Sequence, residues 1–213
     1  MDNSIEGRYR AVYLTGEDLR LAASVIYNAY LNDPFFLDTL FDGDRNQYEQ
    51  KLRAAIREEL HELWLQEQPL VGLFEQHRLI GVLCVVAHQD VLGDSRYWHW
   101  RLKMILGAGW HGTRQWLHKE STLVAQLPGP HCGIIQFVCI APQEQGQGLS
   151  HLLLQAVTHW CDEQPSMDGL AVWVNQDTHL HWFNQHGFVP LGALASGNTE
   201  GQLLFYAGPK LAD

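Results

Sequence analysis

The chain lacks the positive charge that a nucleic-acid partner demands. Lysine and arginine together number 14 against 24 aspartates and glutamates, a formal net charge of −10, whereas a surface that meets phosphates needs a basic stripe. It also lacks any apolar run near the roughly 20 residues required to cross a bilayer, so no membrane partner is expected. The start, Met1 to Glu6, has neither the basic beginning nor the apolar stretch of a secretory leader, and the cytoplasm is the expected compartment. Cysteine is sparse: Cys84, Cys132, Cys139 and Cys161 stand far apart with no CxxC pair. That spacing gives no support to a zinc knuckle or a dithiol redox motif, and buried free thiols are expected. The 12 histidines are scattered, with only His179 and His181 close together and no acidic partner at helical spacing. No metal site is expected.

What the chain has is the material of a core. At 213 residues, 46% hydrophobic and 18% charged, it suits one compact α/β domain spanning residues 1–213. Tyr9 to Leu14 is a short β-type run, and Thr15 followed by Asp18 resembles a capping box. Leu19, Ala22, Ala23, Ile26, Tyr27 and Tyr30 recur at helical spacing, predicting a helix to about Asn32. Asp33-Pro34 stops it, since the residue before proline is pushed out of the α region. A second helix is expected over Gln47 to Gln66, then a β-hairpin from Leu70–Glu75 and Leu79–Ala87. Ser95 to Gln126 reads as helical and carries Trp98, Trp100, Trp110 and Trp116. Gly133–Ile140 is a strand, Leu149 to Trp160 an amphipathic helix and Gly169–Val174 a further strand. A short helix from about Thr178 to Gln185 ends on Gly187. Phe188–Leu191 and Gln202–Ala207 close the chain as strands.

The informative segment joins the strand ending at Ile140 to the amphipathic helix: Ala141-Pro142-Gln143-Glu144-Gln145-Gly146-Gln147-Gly148-Leu149-Ser150. A glycine-containing loop that opens a helix presents backbone N–H groups without intrahelical partners, together with the positive end of the helix dipole. Such a place suits a pyrophosphate. Two nucleotide motifs are excluded. A P-loop needs a lysine after its last glycine, and none follows Gly148; a dinucleotide fingerprint needs a third glycine where His151 stands.

The loop resembles the acetyl-CoA loop of the GNAT (Gcn5-related N-acetyltransferase) superfamily, Q/R-x-x-G-x-G/A, here Gln145-x-x-Gly148-x-Ser150 with serine in the last small position. Two further segments are similar to that family: the strand ending at Val174 and Asn175 followed by Phe183-Asn184-Gln185-His186-Gly187-Phe188, and Asn32-Asp33-Pro34-Phe35-Phe36 after the first helix. The resemblance implies a GNAT fold of α+β type, a central mixed and mostly antiparallel twisted sheet flanked by helices. Residues 95–127 would be a helical tryptophan-rich insertion before the CoA-binding strand. It implies acyl-CoA-dependent N-acetyl transfer, by direct attack, to an amine of a small molecule or peptide. Acetyl-CoA would be the co-substrate, and homodimers are common among such proteins. Ile134–Ile140 would splay from its neighbour at a bulge. Val138, Cys139 and Ile140 would bond the pantetheine arm, and Gln145, Gly146, Gln147, Gly148, Leu149 and Ser150 the pyrophosphate, with Asn175 and Phe183 also on the CoA side. Tyr30, Asp33 and Phe36 would line the acceptor side, with the tryptophans as a wall or lid.

Catalysis is where the chain departs from that pattern. The family tyrosine that protonates the leaving thiolate falls at Phe183, which has no proton to give. The usual base positions fall at Ile134 and Gln136, which do not titrate. Glu75, His88 and His131 are candidate bases by residue type and Tyr206 a candidate acid. Surface or packing roles compete with each. The alternative to an enzyme is a non-catalytic acyl-CoA-binding module that keeps the fold and has lost the acid and base.

Overall fold

The computed structural model describes residues 7–87, 114–115 and 117–212. Seven strands form one sheet in the order β1-β2-β3-β4-β5-β7-β6. They are β1 (Tyr9–Tyr13), β2 (Leu70–Glu75), β3 (Arg78–Val86), β4 (Cys132–Ile140), β5 (Gly169–Val174), β6 (Val189–Ser196) and β7 (Thr199–Ala207). Among the described residues only β4 and β5 pair parallel; the other neighbours are antiparallel. The helices are α1 (Leu19–Tyr30), α2 (Pro34–Leu40), α3 (Arg45–Leu65), α4 (117–124), α5 (Ser150–Asp162), α6 (Asp177–Gln185) and α7 (Pro209–Ala212). This is the mixed, mostly antiparallel sheet with flanking helices that the sequence led us to expect.

The central strands read as unbroken apolar runs because both of their faces are covered. On one face Ala22 and Ile26 of α1 and Leu52, Ile56 and Leu60 of α3 pack onto Leu79, Val82, Cys84, Phe137 and Cys139. On the other, Leu153, Leu154 and Val157 of α5 and Phe183 of α6 pack onto Leu73, Ile80, Leu83, Ile135 and Ile140. Helices α1 and α5 each turn one apolar stripe to the sheet, which is what their 3.6-residue spacing required. All four cysteines are free and buried.

Asp33-Pro34 ends α1 as expected, yet it also begins α2. Asp33 is extended (φ −65°, ψ 133°), and its carboxylate accepts from the N–H groups of Phe35 and Phe36. Pro34 takes the first helical position, where its missing N–H costs nothing. The last two strands are longer than their apolar runs suggest, because Gly197-Asn198 makes a two-residue hairpin turn with Gly197 at φ +60°. Asp38 of α2 fixes that turn, accepting from the Asn198 N–H at 3.0 Å and from its side-chain amide at 2.6 Å. Of the insertion at 95–127, residues 114–115 and 117–124 are helical. Trp98, Trp100, Trp110, Trp116 and His88 lie outside the described residues.

Candidate functional site

The site begins with one surplus residue. Cys84 lies opposite Phe137 and Val85 opposite Ile135, so Gln136 is the extra residue of a bulge in β4. Such a residue bends its strand and re-aims the residues beyond it. Past the bend β4 loses its other neighbour: it pairs with β5 only over Cys132–Ile135, against Gly169–Val172. The two parallel strands then diverge, and the β5-facing edge of β4 opens into a cleft. Side chains occupy that edge in place of a strand. The Tyr30 hydroxyl accepts from the Val138 N–H at 3.2 Å and donates to the Val138 carbonyl at 3.1 Å. The Gln145 amide donates to the Ile140 carbonyl at 2.9 Å. Gln136 itself points to the α1–α3 face, its amide nitrogen 3.3 Å from Glu59 and 3.4 Å from Glu120.

From Ile140 the chain enters the glycine loop. The Ala141 N–H donates to the Ile80 carbonyl at 2.7 Å, and one 3₁₀ turn spans Pro142–Glu144. Gly146 (φ +79°) and Gly148 (φ +74°) then steer the backbone into α5. A Cβ at either glycine would meet nothing within 4 Å. Left-handed backbone, not crowding, is therefore what calls for glycine here. The loop is braced from the sheet by Arg78, which ion-pairs with Glu144 at 2.6 Å and also with Glu75. No lysine or arginine stands in residues 141–152, so an anion at this helix start would be held by peptide N–H groups and the helix dipole.

A cavity of about 640 Å³ connects this loop to the opposite side of the sheet. All the residues expected on the CoA side line it except Gln147, whose amide instead donates to Glu144 at 3.1 Å. Tyr30, Asp33 and Phe36 line the same cavity. Asn175 and Asp33 meet across it: the Asn175 amide donates to the Asp33 carboxylate at 3.1 Å. No motif along the chain marks Lys119, which the fold brings to this cavity. Its ammonium sits 4.5 Å over the Phe35 ring and 4.9 Å over the Trp173 ring, a cation–π arrangement. Burial pulls its pKa down, against the charges of Glu120, Asp33 and Glu59. Among the described residues no group of three His, Cys, Asp or Glu side chains could hold a metal ion.

The acid–base candidates sit elsewhere. Glu75 closes the β2–β3 hairpin, where hydrogen bonds from Arg78 and Arg8 hold its carboxyl below the usual range. His131 precedes β4 at an exposed position, its backbone N–H bound to Asp168 at 2.8 Å. The Tyr206 hydroxyl donates to Asp162 on α5 at 3.0 Å, and burial pushes its pKa up to about 12. None of the three lines the cavity. Glu75 is held in the hairpin by Arg8 and Arg78 and Tyr206 is held on α5 by Asp162, placements that residue type alone could not reveal. Phe183 does line it, and the local fold explains why this residue is aromatic. Helix α6 ends in a Schellman motif: Phe188 N–H to Phe183 carbonyl and Gly187 N–H to Asn184 carbonyl, both 3.2 Å, with Gly187 at φ +85°. The Phe183 and Phe188 rings, 5.2 Å apart, supply the apolar contact that accompanies this cap.

Comparison with known proteins agrees with this architecture. The family model described as acetyltransferase (GNAT) family matches residues 34–188. No curated protein matches the sequence. Among solved structures, the histone acetyltransferase HPA2 and related acetyltransferase from Corynebacterium glutamicum is 15% identical over 94% of this chain and 96% of its own, with a TM-score of 0.68. The spermidine N-acetyltransferase from Vibrio cholerae, in complex with CoA and spermine, is 13% identical over 97% and 99%, with a TM-score of 0.53. The ribosomal-protein-S18-alanine N-acetyltransferase from Escherichia coli is 10% identical over 93% of each chain, with a TM-score of 0.55. At such identities the likeness is one of fold.

Proposed function

The chain belongs to the acetyltransferase (GNAT) family, and on that premise we propose that it is an N-acetyltransferase that moves the acetyl group of acetyl-CoA directly to an amine of a small molecule or peptide. One observation carries the proposal: the open edge of β4 and the glycine loop at the start of α5 share a single cavity. Acetyl-CoA supplies an activated thioester. The backbone of Val138–Ile140 would hold its pantetheine arm, and the N–H groups of residues 145–150 its pyrophosphate. Asn175 and Phe183 flank the arm. Tyr30, Asp33 and Phe36 border the acceptor end, so much of the rate gain comes from aligning two bound partners.

Charge narrows the acceptor. Asp33 lines the cavity, and the whole chain carries −10. Both favour a cationic amine. Similar folds include a spermidine N-acetyltransferase and a protein alanine N-acetyltransferase, so polyamines and peptide N-termini are the classes to try first. A second reading, a non-catalytic acyl-CoA-binding module, is favoured by Phe183, which offers no proton where the family pattern has tyrosine. Calorimetry with acetyl-CoA, followed by thiol release across a panel of polyamines, aryl amines and peptides, separates the two. Binding with release supports the enzyme, and binding without release by any amine supports the module. No binding by folded protein rejects both.

A further inference from the structure

With phenylalanine at position 183, the hydroxyl of Tyr30 is a proton donor that does reach the open edge of β4. Val138 directs its N–H and carbonyl into the cleft, and this single phenol engages both. The ring of this phenol is held by packing. It meets Phe36 and Phe137 edge-on, with centroids 5.8 Å and 5.6 Å away. The Tyr30 carbonyl accepts from the Asp33 N–H at 3.0 Å, tying the end of α1 to the start of α2. The hydroxyl oxygen stands where an acceptor for the Val138 N–H must stand. A carbonyl oxygen that comes to that N–H therefore displaces the hydroxyl from it and finds the phenol O–H beside it.

We propose that the Tyr30 hydroxyl and the Val138 N–H form a two-donor oxyanion site, with Tyr30 acting as a catalytic residue contributed by α1. The assignment rests on the acetyltransferase reading above. In the transfer, the amine nitrogen bonds to the acyl carbon while negative charge builds on the acyl oxygen, where the two donors meet it. The carbon–sulfur bond then breaks, the sulfur leaves with the electron pair and takes a proton, and the amine nitrogen gives one up to water. The hydroxyl has only to turn from the Val138 carbonyl to the arriving oxygen, because the ring that carries it is already packed beside the Val138 N–H, and a donor held next to developing charge is worth far more than one in water. Burial raises the Tyr30 pKa, so the phenol stays protonated and remains a donor. The neighbouring Cys139 thiol, pushed up to about 12 by burial, is not available as a thiolate nucleophile.

The test compares wild type with Tyr30→Phe by thiol release and by calorimetric binding of CoA and of a ketone analogue of acetyl-CoA with a methylene in place of sulfur. Loss of one oxyanion donor lowers kcat by about 10²- to 10³-fold. The CoA affinity should be unchanged or tighter, because the phenol no longer competes for Val138, and the ketone should lose its advantage over CoA. A Tyr30→Phe variant that keeps both kcat and the ketone's advantage within twofold overturns the role and leaves the acetyltransferase reading standing. Wild-type protein that binds no acetyl-CoA overturns the reading and the role together. If circular dichroism shows Tyr30→Phe unfolded, a fluorinated tyrosine incorporated at position 30 preserves the packing and strengthens the donor. An unchanged kcat and ketone affinity in that protein overturns the role.

Discussion

Gly148 allows the glycine loop to be tested in two separable parts. Its φ of +74° is left-handed and a Cβ there meets no atom within 4 Å, so Gly148→Ala carries a backbone cost alone, about 1 kcal/mol. Gly148→Glu carries the same cost and adds a carboxylate at the expected pyrophosphate site. Repulsion between unit charges about 4 Å apart is roughly 4 kcal/mol at an effective dielectric near 20, enough for a loss of CoA affinity of 100-fold or more. Thermal melts report both parts. Without ligand, each variant should melt about 2–4 °C below wild type, the shift that about 1 kcal/mol gives in a domain of this size. CoA at 100 times its Kd stabilises the wild type by about 2.7 kcal/mol, or about 5–10 °C. At the same concentration a variant bound 100-fold more weakly gains only about 0.4 kcal/mol, near 1 °C. A Gly148→Glu protein that retains the full CoA-induced shift would refute pyrophosphate binding at this loop. A Gly148→Ala protein that melts with the wild type would refute the backbone cost.

Two further expectations concern the frame around the site. Gly187→Ala forces a left-handed Cβ at the end of α6, where the nearest atoms are Tyr206 ring carbons at 3.4 Å; it should lower stability by about 1–2 kcal/mol, with Gly187→Asn costing less, and equal denaturant midpoints for all three proteins would refute this. Asp168 is buried and accepts from Lys210 at 2.9 Å and from the His131 N–H at 2.8 Å, contacts that lower its pKa below the ordinary value. Its folded pKa lies under its unfolded one, so its stabilisation is fully present above the unfolded value, about 3.9, and is lost as pH falls through the folded pKa. Asp168→Asn should therefore flatten the acid limb of the stability–pH curve between about pH 5 and 2, and superimposable limbs in urea titrations would show that reasoning wrong.

The fold was legible wherever a periodic pattern matched a covered face. The stripes of α1 and α5 and the apolar runs of β2–β4 announced the two layers, and Gly187 announced the end of α6. Boundaries were lost where a single residue has two structural uses. Asp33-Pro34 reads as a stop, yet its capping oxygen starts α2, and Gly197-Asn198 turns two short apolar runs into one long hairpin. On the site, local motif chemistry placed the glycine loop and the cleft-facing stretch of β4. The contacts that define the cavity's chemistry span far longer separations: Tyr30 to Val138 is 108 residues, and Asn175 to Asp33 is 142. No window along the chain reports such meetings. For the same reason residue type could not place Glu75, His131 and Tyr206, which stand outside the cavity, Glu75 beside Arg8 and Tyr206 beside Asp162.

The bulge at Gln136 has an evolutionary implication. Ile135 faces the α5 layer and Phe137 the α1–α3 layer, so a chain without Gln136 would keep every other β4 side chain on its present face. Its fourth strand would alternate without interruption and could pair with β5 along more of its length, exchanging the Tyr30 and Gln145 contacts for a backbone ladder. A sheet with a continuous fourth strand and one that opens at this point would thus differ by a single codon. Selection for stability alone would tend to delete it, and its retention would mark lineages in which the opening is still in use.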